Sequence, residues 1–180
     1  MKLSVAGKMD VGKFPSSTLT TTCTYSSVFS NSSISTWYFF ESHSLVGTYP
    51  ASASAGGGLV WDEVLEYRVW CHPERGATDL HDGSDYYYAF ATYVEALDFS
   101  AKTKGAEAPL ALIRQLEYIS EPQPGTYVHV QEPRVTEWPV EFLQRPRRSA
   151  NTIPDFLSPA APLNRLDILR GLARLPGHEP

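Results

Sequence analysis

Cysteine is scarce in this chain. Cys23 and Cys71 are the only two among 180 residues. That is too few within one chain for a disulfide framework or a four-cysteine zinc site, and a reduced, cytoplasmic setting is the expectation that follows. Long apolar runs are missing as well: no stretch approaches the roughly 18 to 20 residues that cross a bilayer, so no membrane partner is expected. A secretory signal is also disfavoured. Lys2 and Lys8 precede a small-residue run at Ala51 to Ala55 that resembles a cleavage site, but the aromatic segment Trp37 to Phe40 is broken at once by Glu41, Ser42 and His43, so no apolar segment forms between them. Nor is there a basic surplus. The 15 Lys and Arg against 20 Asp and Glu give a formal charge of −5 and a pI near 5.5. Nucleic acid is therefore not an expected partner, because the clustered positive charge that attracts phosphate backbones is lacking.

Charge and periodic apolar residues are thin at the front of the chain. Positions 1–58 hold 20 of the 31 Ser and Thr residues but only 5 of the 35 charged ones. Such a stretch buries too little surface to offset the entropy of ordering it. Residues 1–58 are expected to be a disordered extension, joined to a domain through the flexible triplet Gly56 to Gly58. The abrupt change in composition also has a genetic reading, a coding start assigned too early, with synthesis beginning near Leu59 or Val60. The intact mass of protein from its native source separates the two.

From residue 59 to 144 the pattern is that of one compact domain, and the length allows one core. The organising stretch is DYYYAFATYVEALDFSAKT, Asp85 to Thr103. Its four aromatics within five residues favour a strand, Tyr86 to Ala91. Thr92, three residues before Glu95, matches a capping box that opens a helix from Tyr93 to about Lys102. Val94, Leu97 and Ala101 form its expected buried face, and Glu95, Asp98 and Lys102 its wet one. Gly105 is the expected terminator.

Ahead of this unit, Leu65, Tyr67, Val69 and Cys71 alternate with Glu66, Arg68 and Trp70 as in a strand with one buried face, ended by His72-Pro73. A long loop, Glu74 to Ser84, follows. After the helix, Leu110 to Ile119 reads as a third strand, Glu121 to Thr126 as a turn, Tyr127 to Gln131 as a fourth strand, and Arg134 to Trp138 as an edge strand stopped by Pro139. Residues 145–180 read as an irregular tail carrying Arg145, Arg147 and Arg148. A short helix over 162–175 is expected there, where Leu163, Leu166, Leu169, Leu172 and Leu175 recur beside Arg165, Arg170 and Arg174. The predicted class is α+β: a mostly antiparallel four- to five-stranded sheet in the order β-β-α-β-β, one helix on one face, and the strands flanking that helix parallel to each other.

Several residues bear chemistry. Cys71, His72, Asp79, His81, Asp82 and Asp85 are of metal-ligating types, but no Cys-x-x-Cys, His-x-x-x-His or His-Glu-x-x-His spacing occurs, so solvated side chains and no metal are expected. Cys71 could pair with His72, His81 or His129 as a nucleophile, yet a cysteine on the apolar face of a strand reads as packing. Glu117, Glu121, Glu132, Glu137 and Glu141 supply carboxylates without a defined separation. The aromatic run says more. With Tyr86, Tyr88 and Phe90 toward the core, Tyr87 projects from the other sheet face beside Trp70. Arg68, Trp70, Tyr87 and Arg114 then form a candidate site for a flat or anionic small molecule. The same aromatics would serve core or dimer packing. The reading that follows is a non-catalytic ligand-binding or protein-interaction module that self-associates and takes no cofactor.

Three segments, EYRVWCHPE (Glu66 to Glu74), DYYYAFATYVEAL (Asp85 to Leu97) and HVQEPRVTEW (His129 to Trp138), resemble a family of small uncharacterised bacterial proteins, some of them labelled GNAT-type acetyltransferases. The likeness runs from about Leu65 to Leu143. It implies an acyltransferase as the alternative function, with acetyl-CoA as cofactor and an amine as acceptor. The Arg/Gln-x-x-Gly-x-Gly/Ala loop with which that class grips pyrophosphate at a helix start has no counterpart, since Phe90-Ala91-Thr92 enters the helix without a glycine. No catalytic residue is carried over.

Overall fold

The computed structural model describes residues 45–51 and 53–175. Cys23, the Trp37 to Phe40 segment and the disorder expected of residues 1–44 lie outside the described residues. The elements are β1 (Ser54–Ala55), β2 (Glu63–Cys71), β3 (Tyr86–Phe90), α1 (Tyr93–Lys102), β4 (Leu110–Gln115), β5 (Tyr118–Gln123), β6 (Thr126–Val130), β7 (Arg134–Pro139), α2 (Thr152–Leu157) and α3 (Leu166–Leu169), with 3-10 turns at Pro73–Arg75 and Val140–Gln144. The fold is α+β. β2 is the centre of the main sheet, antiparallel to β3 on one side and to β4 on the other. β4 pairs antiparallel with β7, and β7 takes β1 in parallel, giving the order β1-β7-β4-β2-β3. Because β3 and β4 both run against β2, the strands that α1 connects are parallel, with β2 between them.

β2 shows why this strand organises the rest. Its apolar set behaves as the alternation predicts, with Leu65, Val69 and Cys71 buried. The opposite set is not solvent-facing, however: Glu66 and Arg68 are both 0% exposed. The reason is the segment 45–51, which lies over that face. Val46 packs with Tyr87 and Ala89, and Ala51 and Trp70 flank them. The edge of the packed unit therefore does not fall at residue 58. The glycine triplet is likewise no loose joint. Gly56 N donates to Glu137 O at 2.9 Å, Gly57 O accepts from Trp138 Nε1 at 3.0 Å, and Gly58 O accepts from Ile119 N at 3.0 Å. Gly58 has a positive φ of 81°, and a Cβ there would stand 2.3 Å from the Gln115 amide, so glycine is required by geometry and not for mobility.

α1 starts where its sequence predicts, with Thr92 Oγ1 accepting from Glu95 N at 3.3 Å, but the Glu95 carboxylate takes the Thr92 hydroxyl, at 3.0 Å, where a capping box would have it take the cap's own amide. Its buried face differs from the expected one. Ala96 and Phe99 point inward, whereas Val94 is 74% and Leu97 46% exposed. Aromatic packing decides the rotation, since Phe99 meets Tyr88 with ring centroids 4.8 Å apart and Phe90 at 5.2 Å. One aromatic buried among aromatics outweighs two aliphatics.

The expected third strand is two. Asp62 Oδ2 accepts from Leu116 N at 2.7 Å, and the buried Gln115 amide donates to Val60 O at 2.5 Å. These side-chain bonds take the chain out of the main sheet, and it re-pairs with β6 as a separate hairpin. The turn is correspondingly shorter than expected, because β5 continues through Gln123 and pairs with Thr126.

The C-terminal part is a cap, not an irregular tail. Ile153 and Phe156 of α2 and Leu169 of α3 form one cluster with Val60 and Ile119, and Tyr127 meets Phe156 edge-on at 4.8 Å. The helix expected over 162–175 is only the four residues of α3. Leucines repeating every third position drift around a helix of 3.6 residues per turn, so Leu169 is buried while Leu163 and Leu172 are exposed.

Candidate functional site

Three of the four candidate ligand residues come together. Trp70 and Tyr87 are direct partners across β2 and β3, with ring centroids 5.0 Å apart, and the Arg68 guanidinium lies 4.3 Å from the Tyr87 ring centroid. The fourth, Arg114, is paired with Glu63 at 3.0 Å and acts electrostatically on Tyr49. The stacking and charge-assisted bonds expected toward a ligand are made within the chain. Arg68 Nε donates to Glu66 at 2.7 Å, Nη1 to Glu137 at 2.9 Å and Nη2 to the Pro50 carbonyl at 3.0 Å. Glu137 also accepts from Trp70 Nε1 at 3.1 Å, Glu66 accepts from Gly47 N at 2.6 Å, and Tyr87 Oη donates to Tyr49 O at 3.2 Å. Burial raises the Tyr87 hydroxyl above its usual 10.0; Glu66 and Glu137 push the same way and Arg68 opposes them. The arrangement binds the segment 45–51 to the sheet.

The histidine- and aspartate-rich loop is likewise committed. His72 is buried between Asp85 and Glu107, each 3.0 Å from one ring nitrogen, in directions that fall outside hydrogen-bond geometry. Glu107 also takes Arg75 at 2.7 Å. Asp79 Oδ1 accepts from the backbone N–H of His81 and of Gly83, at 3.3 and 2.8 Å, and shapes the loop itself. Among the described residues no group of three or more His, Cys, Asp or Glu converges as a metal ion requires. Cys71 is a free, fully buried thiol whose pKa burial pushes up. A raised pKa disfavours the thiolate a nucleophile needs. Of the carboxylates, Glu117 binds His129 at 2.7 Å and also Arg148, and Glu121 accepts from Gly125 N at 2.8 Å. At the start of α1 stand the Thr92 hydroxyl and the Glu95 carboxylate, bonded to each other. Among the described residues no helix is long and apolar enough to cross a membrane.

Two features escaped the sequence reading. Glu66 and Glu137, the carboxylates that hold Arg68, look in sequence like solvent-face residues; the available signal is Arg68 itself, an arginine centred in an apolar strand that must have buried partners. The second is a cavity of about 380 Å³ in the C-terminal cap, lined in part by Arg147, Asp155, Ile168 and Arg174. No family model matches the chain, and neither a curated protein nor a solved structure does.

Proposed function

We propose that the protein is a non-catalytic interaction module that pairs with a second copy of itself through the outward face of α1. One observation carries this reading: α1 has two apolar faces and uses only one internally. Ala96 and Phe99 fill the core, while Val94, Leu97 and Ala101, spaced three and four residues apart, face solvent. Apolar stripes left on a helix are characteristic of interaction surfaces. The charge layout favours a like partner. Glu95 lies at the start of the exposed side and Lys104 just past its end, with Asp98 and Lys102 between them paired to each other, so an antiparallel two-fold pairing sets the acidic start of one copy against the basic end of the other.

The surface is small, and the expected dissociation constant is on the order of micromolar or weaker. Sedimentation velocity over a concentration series should show the mass rising from monomer toward dimer. Val94→Asp should weaken the association about tenfold or more, because it puts a charge at the centre of the stripe. A chain that stays monomeric throughout the series overturns the reading. Calorimetry with acetyl-CoA addresses the acyltransferase alternative. Glu95 beside the α1 amides opposes an incoming pyrophosphate, so no binding heat is expected, and a saturable heat would favour acyl transfer.

A further inference from the structure

We propose that the cavity in the C-terminal cap is a binding site for a small oxyanion, a carboxylate or phosphate group carried on a compact body and gripped by Arg147 and Arg174. At about 380 Å³ the cavity lies within the range of small-molecule sites, about 300–1,000 Å³. Arg147 and Arg174 both line it. Among the described residues neither has a hydrogen-bond or ion-pair partner, unlike the other arginines of the cap. Arg148 is held by Asp62 and Glu117, Arg165 by the carbonyls of Phe156 and Ser158, Arg170 by Asp167, and Arg145 by the carbonyl of Leu59.

A single unpaired surface arginine is ordinary. Two exposed arginines lining one concavity within a local excess of positive charge are not. Residues 145–175 contain six arginines and two aspartates in a chain of net charge −5, and Asp167 is shared between Arg170 and Asn164. The excess is felt locally. Burial lowers the pKa of Arg145, and the nearby Arg170 lowers it further; each adjoins in sequence a residue that lines the cavity, Pro146 and Gly171. Two guanidinium forks are suited to the paired oxygens of a carboxylate or phosphate.

The walls set the ligand's orientation. Asp155, nearly buried and engaged in contacts of its own, contributes a carboxylate to the lining, which disfavours a second negative charge at depth. The anionic group therefore sits at the arginines, and the uncharged part of the ligand lies against Ile168.

The test is a thermal-shift and calorimetric titration of the full chain with sodium phosphate, sodium benzoate and, at matched ionic strength, sodium chloride. Phosphate or benzoate should raise the melting temperature by about 2–5 °C at saturating concentration. The Arg147→Gln/Arg174→Gln double variant should lose affinity about tenfold or more, and Arg75→Gln, outside the cap, should retain it. A response to phosphate alone identifies a phosphate-bearing ligand, and one to benzoate alone a carboxylate. No response to either anion beyond chloride overturns the proposal, as does a shift that persists in the double variant, which would be general salt stabilisation. Because Arg147 and Arg174 hold nothing in the free protein, the double variant folds, and an unchanged circular dichroism spectrum verifies it.

Discussion

Two arginine environments in one chain invite comparison. Arg68 is fully buried at the centre of β2, with a carboxylate on Nε, another on Nη1 and a carbonyl on Nη2. Arg147 and Arg174 stand at a cavity with no partner among the described residues. The first environment is closed by polar contacts that saturate the cation. The cap that carries the second is closed by apolar contacts, Ile153, Phe156 and Leu169 on Val60 and Ile119, and these two charges take no part in it. A saturated buried charge fixes structure and has nothing to offer a ligand. An unsaturated pair beside a cavity contributes little to the fold and has its full bonding capacity in reserve.

The sharpest way to break this comparison is Arg68→Met. It fills much of the volume but leaves Glu66 and Glu137 without a cation, and removing one partner of a buried pair costs about 3–5 kcal/mol. Urea unfolding should report that loss, and a cost under about 1 kcal/mol would mean that the carboxylates find solvent or protonate cheaply. Ile153→Ala asks the matching question of the cap. A buried isoleucine truncated to alanine costs about 2–5 kcal/mol, and a global loss in that range would establish that the cap unfolds with the sheet and not before it.

The alkaline limb of stability separates the regions by another route. Burial raises the hydroxyls of Tyr86 and Tyr87 above 10.0, so the native state keeps these protons when the unfolded chain loses them. Their contribution is complete below pH 10 and disappears as pH rises through the raised values. Each group ionised only in the unfolded chain removes up to about 1.4 kcal/mol per pH unit. Tyrosinate absorbance should therefore appear together with loss of near-UV circular dichroism; full ionisation in a folded protein would contradict the burial argument. Thr92→Ala is smaller still, about 1 kcal/mol, from the lost cap of α1.

Local chemistry was the part of this fold legible in the sequence. The alternation in β2, the aromatic run of β3 and the Thr92-x-x-Glu95 cap each depend on neighbours a few residues apart, and each stands where its pattern puts it. What depended on distant segments was not legible. Nothing near Val94 indicates that Phe99 will find Tyr88 and Phe90 and turn the helix so that its aliphatic stripe faces outward. Nothing near Leu116 announces that Asp62, 54 positions earlier, takes its amide and breaks the ten-residue segment Leu110 to Ile119 into two strands. Of the candidate site, the meeting of Trp70 with Tyr87 followed from strand register. That Glu137 and the carbonyl of Pro50 would occupy Arg68 did not, because the composition of residues 45–58 gives no sign of their place over the sheet.

The smallest expected effect is the most discriminating. Arg147→Gln/Arg174→Gln removes two formal charges, the same kind of group whose loss at Arg68 is expected to cost several kcal/mol. In the free protein neither guanidinium has a partner to lose, and exposed substitutions without such features stay within about 0.5 kcal/mol. The sign should be favourable if anything, because the surrounding cap holds more arginines than aspartates and Arg145 already feels Arg170. Urea unfolding without added anion should thus leave the double variant at or slightly above the parent. A loss of more than 1 kcal/mol would mean that these arginines are structural after all, and the distinction between saturated and reserve cations would fail where it was drawn most clearly.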